Sequence, residues 1–360
     1  MKYSRLQIAF LIIMFSSIPN KYVVLPHLMH EAKRDAWVCI FIAYIFFLLW
    51  GLAISFLVNK MEGISLMNFL KLRTGKGITF GLIGFFSLFI CISGLISFYE
   101  LIKLIDLHFL PYTPTWVITI SLIILCLASA RNGIKTIVYL SVFLLPIVWC
   151  LDILNVFASF SDKDYSHLFP VLIQGKEPLI KGTFIILGGT ADILLLLFFQ
   201  HQLRKPYRFL HIILIITAIM GMTIASNIST IASFGPYVAT AFNFPAFEQW
   251  RLVTLGMYIS HVDFLAVFQI LSGVMIKVSL CLSCLGQITE EVSKKTKRFA
   301  IFLILSIYAI VSISKISEIT IKIFINYYLI VAFIAASVLT CVLLLISLLP
   351  VKLDKGVKNL

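Results

Sequence analysis

A chain of 360 residues with 61% hydrophobic and 12% charged side chains lies outside the range of soluble domains, in which about a quarter of residues are charged. That composition excludes an ordinary soluble enzyme or binding domain and calls for a protein that crosses a membrane many times, with no stretch between apolar runs long enough to form a separate unit. The 29 Lys and Arg against 16 Asp and Glu cluster in short segments beside apolar runs, so they report orientation in a bilayer rather than affinity for nucleic acid.

A spanning helix needs about 20 mostly apolar residues. Ten such segments follow in chain order, at 6–28, 36–58, 78–102, 114–130, 134–157, 181–203, 207–228, 252–286, 299–314 and 321–349. They make one transmembrane domain, 1–360, with a first set of five over 6–157 and a second over 181–349. Alternate connections carry 18 basic residues on the side of the N-terminus and 9 on the other, which places both termini in the cytoplasm. No small-residue cleavage site follows the first run, so it is read as a retained span. Segment 64–72, ISLMNFLKL, has the pattern of a helix lying along the cytoplasmic interface. The connections 158–180 and 229–251 mix Pro, Gly and aromatics, as either surface connectors or segments folded over a membrane mouth.

The first span holds the sequence IPNKYVVLP, residues 18–26. Leu6 to Ile18 alone rises only about 20 Å as a helix, short of a hydrocarbon core near 30 Å, and continuing requires passage through Pro19, which lacks an N–H and crowds the preceding turn. A break is expected there. The sixth span carries Gly188, Gly189 and Thr190 in mid-membrane, followed by Asp192. The two interrupted spans open two sets of five that begin on opposite sides, the pattern of an inverted repeat with a binding site between discontinuous helices one and six. The alternatives are a proline kink and a glycine face for close helix packing.

Charges within spans each need an account, because an unpaired one costs at least about 2.5 kcal/mol at the bilayer centre. Lys21 sits where it can snorkel outward, and Glu100, after Tyr99, where it can reach the interface. Asp192 either caps the second half of span six or faces the cavity. Span eight carries His261, Asp263, Gln269 and Lys277; Asp263 and Lys277 share a face but stand about 21 Å apart, too far to pair, so they mark two ends of an aqueous path or snorkel separately. His261 is read as a structural polar residue before a proton relay. Seven cysteines lie almost wholly in apolar runs, and Cys281 and Cys284 lack a second ligand pair, so neither a metal nor a cofactor is expected. No nucleophile elbow, phosphate loop or zinc-ligand spacing points to an enzyme.

The stretch HLFPVLIQGKEPLIKGTF, 167–184, resembles the loop before the sixth span of the spore germination B subunits, the membrane components of endospore nutrient receptors. FLAVFQILSGVMIKVSLCL, 264–282, is similar to their eighth span through Gly273, Ile276 and Lys277, and Gln7, Pro26 and Asp35-Ala36-Trp37 fit their N-terminal pattern. The chain departs from that pattern at Ser17-Ile18-Pro19-Asn20, where relatives have a glycine-rich break, and at Ser260-His261-Val262-Asp263. The resemblance implies an all-α integral membrane fold of the amino acid, polyamine and organocation transporters: ten helices as a five-plus-five inverted repeat, with helices one and six discontinuous. It implies a small-molecule germinant of the amino acid class as ligand, germinant receptor A and C subunits as partners beside the lipid bilayer, and the spore inner membrane as location. On this reading the ligand meets Ile18, Pro19, Asn20, Gly188, Gly189 and Thr190 at the breaks and Tyr99 and Glu100 in the wall, while Asp192, His261, Asp263 and Lys277 set polarity or an ion path. The alternatives are a secondary transporter coupled to protons or sodium, with Asp192, Asp263 or Glu100 carrying the coupling, and a scaffold that binds no ligand.

Overall fold

The computed structural model describes residues 2–160, 163–173, 175–254, 262–290, 293–314 and 316–350. Regular structure among them is helical, apart from an isolated bridge between Tyr3 and Leu203. The α-helices are α1 Arg5–Ala32, α2 Ala36–Met61, α3 Leu66–Thr74, α4 Lys76–His108, α5 Thr115–Arg131, α6 Ile134–Ala158, α7 Lys176–Thr190, α8 Leu195–Phe199, α9 Phe209–Phe234, α10 Pro236–Ala241, α11 Pro245–Leu252, α12 Phe264–Glu290, α13 Lys294–Ile313 and α14 Glu318–Leu348. Eight segments among the described residues are long and apolar enough to cross a membrane, and the first of them, 5–61, contains both α1 and α2. The chain reverses between those two at Lys33, whose φ is 46°, through a 3-10 turn over Lys33–Asp35. Helix α5 has 17 residues and rises about 25 Å, a little under the usual hydrocarbon thickness. The protein is an all-α, multi-pass membrane protein.

The break expected at Pro19 does not occur. Helix α1 runs unbroken for 28 residues with Pro19 and Pro26 inside it. A proline forfeits one backbone hydrogen bond, whereas unwinding in a bilayer would strand several, so a helix that can accommodate the ring is the better solution. The neighbours make room: a Cβ on Gly273 of α12 would stand 2.6 Å from Cβ of Ile18 and 3.4 Å from Cδ of Pro19. The start of α1 is fixed by a capping box, in which Ser4 Oγ accepts from the Gln7 backbone and Gln7 Oε1 from the Ser4 backbone.

Span six is likewise not unwound. Helix α7 passes into a 3-10 turn at Ala191–Leu194, then α8, then a second 3-10 turn at Gln200–Gln202, so the coil tightens without opening. Helix one is therefore continuous, against expectation, whereas in span six the α-helix does end at Thr190, with a 3-10 turn where an open break was expected. These two helices and α12 form the centre: 89% of the most apolar stretch of 176–202 is buried, against 11% for α13 at the periphery.

Of the two long connections, 229–251 folds into the bundle. Helix α9 continues to Phe234, and α11 buries Phe247 and Trp250 against α1, α9 and α12. The other is pinned at two points, by the Asp164 N–H donating to the Ala232 carbonyl at 2.9 Å and the Leu172 N–H to Asp35 Oδ1 at 2.7 Å. At the opposite end of the bundle, the chain start is tied to the segment after span six. Tyr3 N donates to the Gln202 carbonyl, Arg204 N to the Tyr3 carbonyl, and the buried Tyr207 hydroxyl to the Arg5 carbonyl at 2.7 Å. Helix α3 lies against α4 with Leu66, Met67, Phe69 and Leu70 buried, in keeping with the amphipathic pattern of 64–72.

Candidate functional site

Two ion pairs cross the helical bundle, one fully buried and one partly so. Lys277 Nζ of α12 lies 2.9 Å from Asp192 Oδ2 in the 3-10 turn of span six, with both side chains at most 3% exposed. Ser93 Oγ of α4 donates to the same carboxylate oxygen at 3.1 Å, and the ammonium stands 5.1 Å from the centre of the Phe15 ring. Asp192 thus neither caps a helix nor lies free in a cavity. Lys277, expected to mark one end of an aqueous path or to snorkel, has its partner across the bundle. Burying either charge alone would be strongly unfavourable, which explains why both occur and why they touch.

The second pair joins Lys21 of α1 to Asp152 of α6. Lys21 does not snorkel. Its ammonium faces inward, and Asp152 Oδ1 also accepts from Gln269 Nε2 of α12 at 3.0 Å. Gln269 Oε1 in turn accepts from the Tyr22 hydroxyl at 3.2 Å and from Trp250 Nε1 at 3.3 Å. Five residues from four helices therefore form one hydrogen-bonded chain, each polar group answering another where water is scarce. Asp152 was missed in the sequence reading. Its signal was available, since it is an acid in the apolar run VWCLDILNV while Lys21 lacked a partner of opposite sign.

The segments expected at the breaks do meet, but by packing. Asn20 Nδ2 donates to Thr190 Oγ1 at 3.1 Å, joining α1 to the end of α7. A Cβ on Gly188 would lie 1.7 Å from the Leu329 carbonyl oxygen of α14, and one on Gly189 would lie 2.4 Å from Cγ2 of Val24 in α1. Both glycines thus serve close approach of neighbouring helices, the alternative reading of the Gly-Gly pair. Ile18, Pro19, Gly188 and Gly189 face protein rather than a void.

A cavity of about 350 Å³ opens at the far end of α1, between that helix, α4, the segment after α10 and the start of α14. Its wall includes Tyr22, His27, Glu100, Lys322 and Asn326. His27 Nδ1 and Asn326 Oδ1 lie 2.7 Å apart, Lys322 Nζ donates to Asn243 Oδ1 at 2.8 Å, and Lys103 pairs with Glu318 at 3.1 Å. Glu100 stands in this wall without a hydrogen bond or ion pair among the described residues. Tyr99, one position earlier, lines a different, apolar groove between α4, α13 and α14. Asp263 stands just ahead of α12, and His261 lies outside the described residues.

A helical bundle that buries paired charges and opens a polar cavity on one side has the build of a permease-like membrane protein. A family profile described as spore germination protein matches residues 2–321, and the chain belongs to that family. It is 32% identical over 292 residues to spore germination protein XB of Bacillus anthracis, covering 81% of this chain and 82% of that one. It is 27% identical over 184 residues to the putative spore germination protein YfkT of Bacillus subtilis (strain 168), covering 49% of each. The chain is a germination-related membrane protein.

Proposed function

We propose that the chain is the membrane subunit of a spore germinant receptor, and that a small nutrient of the amino acid class binds in the cavity between α1, α4 and α14. The observation that carries this reading is the position of Tyr22. It lines the cavity and also donates to Gln269, and through Gln269 it reaches Asp152 and Lys21. Glu100 supplies a carboxyl group not engaged by a hydrogen bond or ion pair among the described residues, to receive the ammonium group of the ligand. Pockets of this size suit small ligands and use few polar groups for orientation. A ligand that draws on the Tyr22 hydroxyl changes the hydrogen bonding of Gln269, so it binds unequally to two arrangements of α1 against α6 and α12. Unequal affinity is the requirement for a population shift. The shift passes to partner A and C subunits in the spore inner membrane. The ten helices follow the five-plus-five order of the amino acid, polyamine and organocation transporters, with both termini cytoplasmic and the cavity open on the other face. Asn20, Thr190 and Asp192 hold the core that moves rather than touching the ligand.

In spores carrying Glu100→Gln, the nutrient dose response shifts to at least about tenfold higher concentration, as expected for loss of a charge-assisted contact, while the protein accumulates normally. An unchanged dose response across a panel of amino acids refutes the assignment. The two ion pairs within the bundle favour one second reading, secondary transport, because intramembrane charges mark ion and substrate paths. Uptake of labelled amino acid by vesicles containing this chain alone selects transport; a nutrient response that requires partner subunits selects the receptor.

A further inference from the structure

A second cavity, of about 530 Å³, lies at the end of the bundle where the chain begins, between the last turn of α5 and the first turns of α13. Arg131, Lys294, Lys297 and Arg298 converge on it with one acid among the described residues, Glu290. Glu290 is taken by Lys297, with Nζ and Oε2 2.8 Å apart. Lys294 also interacts with that carboxylate, more weakly, while Arg131 and Arg298 have no acidic partner among the described residues, and like charges gathered this way repel unless an anion sits between them. The lower half of the same cavity is apolar. On α13 the residues Lys294, Lys297 and Arg298 continue at helical spacing into Ile301, Phe302 and Leu305, and on α5 Arg131 follows Leu127 by one turn. Both helices therefore change from charged to apolar at one level. Helix α13 is the most exposed of the candidate spans, and Phe302 is 70% exposed.

We infer that this cleft binds the headgroup of an anionic membrane phospholipid, with one acyl chain lying along the apolar face shared by α5 and α13. A phosphodiester answers the cations that Glu290 leaves unneutralised, as in basic pockets between transmembrane helices. A free phosphate or an acidic segment in water would satisfy the charged half and leave Ile301, Phe302 and Leu127 uncovered. An amphiphile satisfies both halves at once. The inference is independent of the nutrient cavity, which lies at the other end of α1 and shares no residue with it.

The test uses the full chain purified in detergent, with dioleoyl phosphatidylglycerol and dioleoyl phosphatidylcholine added in turn and lipid retention read by native mass spectrometry. Phosphatidylglycerol is retained at least about tenfold more tightly, and the preference shrinks as salt is raised. Arg131→Gln with Arg298→Gln brings the two lipids to within about twofold, whereas Lys60→Gln with Lys135→Gln, outside the cleft, leaves the preference intact. Lys294→Gln, at an exposed position, lowers it by about fivefold and serves if the double variant does not accumulate. Equal retention of both lipids by the wild type, an undiminished preference in the cleft variants, or displacement of the lipid by millimolar inorganic phosphate overturns the inference.

Discussion

Gly188 has its missing side chain directed at the backbone of α14, with 1.7 Å between the ideal Cβ position and the Leu329 carbonyl oxygen. Backbone cannot rotate aside as a side chain can, so Gly188→Ala forces the two helices apart. It costs at the upper end of the range of about 1–3 kcal/mol typical of overpacking. Gly221 of α9 has nothing within 4 Å of its Cβ position, and Gly221→Ala is neutral or slightly stabilising through helix propensity. Melting temperatures of the two variants in detergent separate these outcomes; equal melting would contradict the close approach. Tyr22 poses a different question, because its ring packs in the core while its hydroxyl alone links the cavity to Gln269. Tyr22→Phe keeps the packing and removes a hydrogen bond worth about 0.5–1.5 kcal/mol, so the nutrient response shifts by up to about tenfold with little loss of protein. A response identical to wild type would place the coupling elsewhere.

Helices α12 and α1 are each held by one ion pair, fully buried to span six and partly buried to α6. Lys277→Met leaves Asp192 charged with only Ser93 as partner and destabilises by about 3–5 kcal/mol, whereas Asp192→Leu combined with Lys277→Met regains most of that loss, since a packed apolar pair is no worse than a buried salt bridge. Thermal unfolding of the two variants checks this; equal melting of Lys277→Met and wild type contradicts the pair. The helices themselves were legible in the sequence because long apolar runs carry a strong signal, and each predicted segment coincides with a helix, although the eighth begins at Phe264 rather than 252. The continuity of α1 was not legible. Proline speaks locally for a break, and what opposes it is the expense of stranded backbone in lipid together with the hollow at Gly273, 254 positions away from Pro19 in sequence. Gly188 and Gly189 read equally well as a break or as a packing face, and only the position of α14 decides between them. The ion pairs escaped for another reason. Lys21 read alone can snorkel, and Asp152 is a lone acid in an apolar run; their opposite signs are visible in the sequence, but only the packing of α1 against α6 brings them together.

Taken as one body, the bundle places the cavity beside Glu100 and the basic cleft at opposite ends, with paired charges between them. The cavity proposed for the nutrient opens at the end of α1 distant from Arg5, and the basic cleft lies at the end where the chain begins. Segment 203–207 and the chain start close the latter end through backbone hydrogen bonds, so a ligand has access from the former. A change in α1 is felt by α6 through Lys21 and by α7 through Asn20, and from there by the α14 backbone that rests on Gly188. The decisive measurement is protection of a cysteine in the cavity wall. Thr240→Cys places a thiol beside Glu100 and Tyr22 without removing a charged group. Its labelling by a membrane-impermeant maleimide in intact vesicles slows at least about tenfold when a germinating amino acid is present at saturation, and does not slow when Glu100→Gln is added. Labelling at the same rate with and without the nutrient contradicts binding in this cavity.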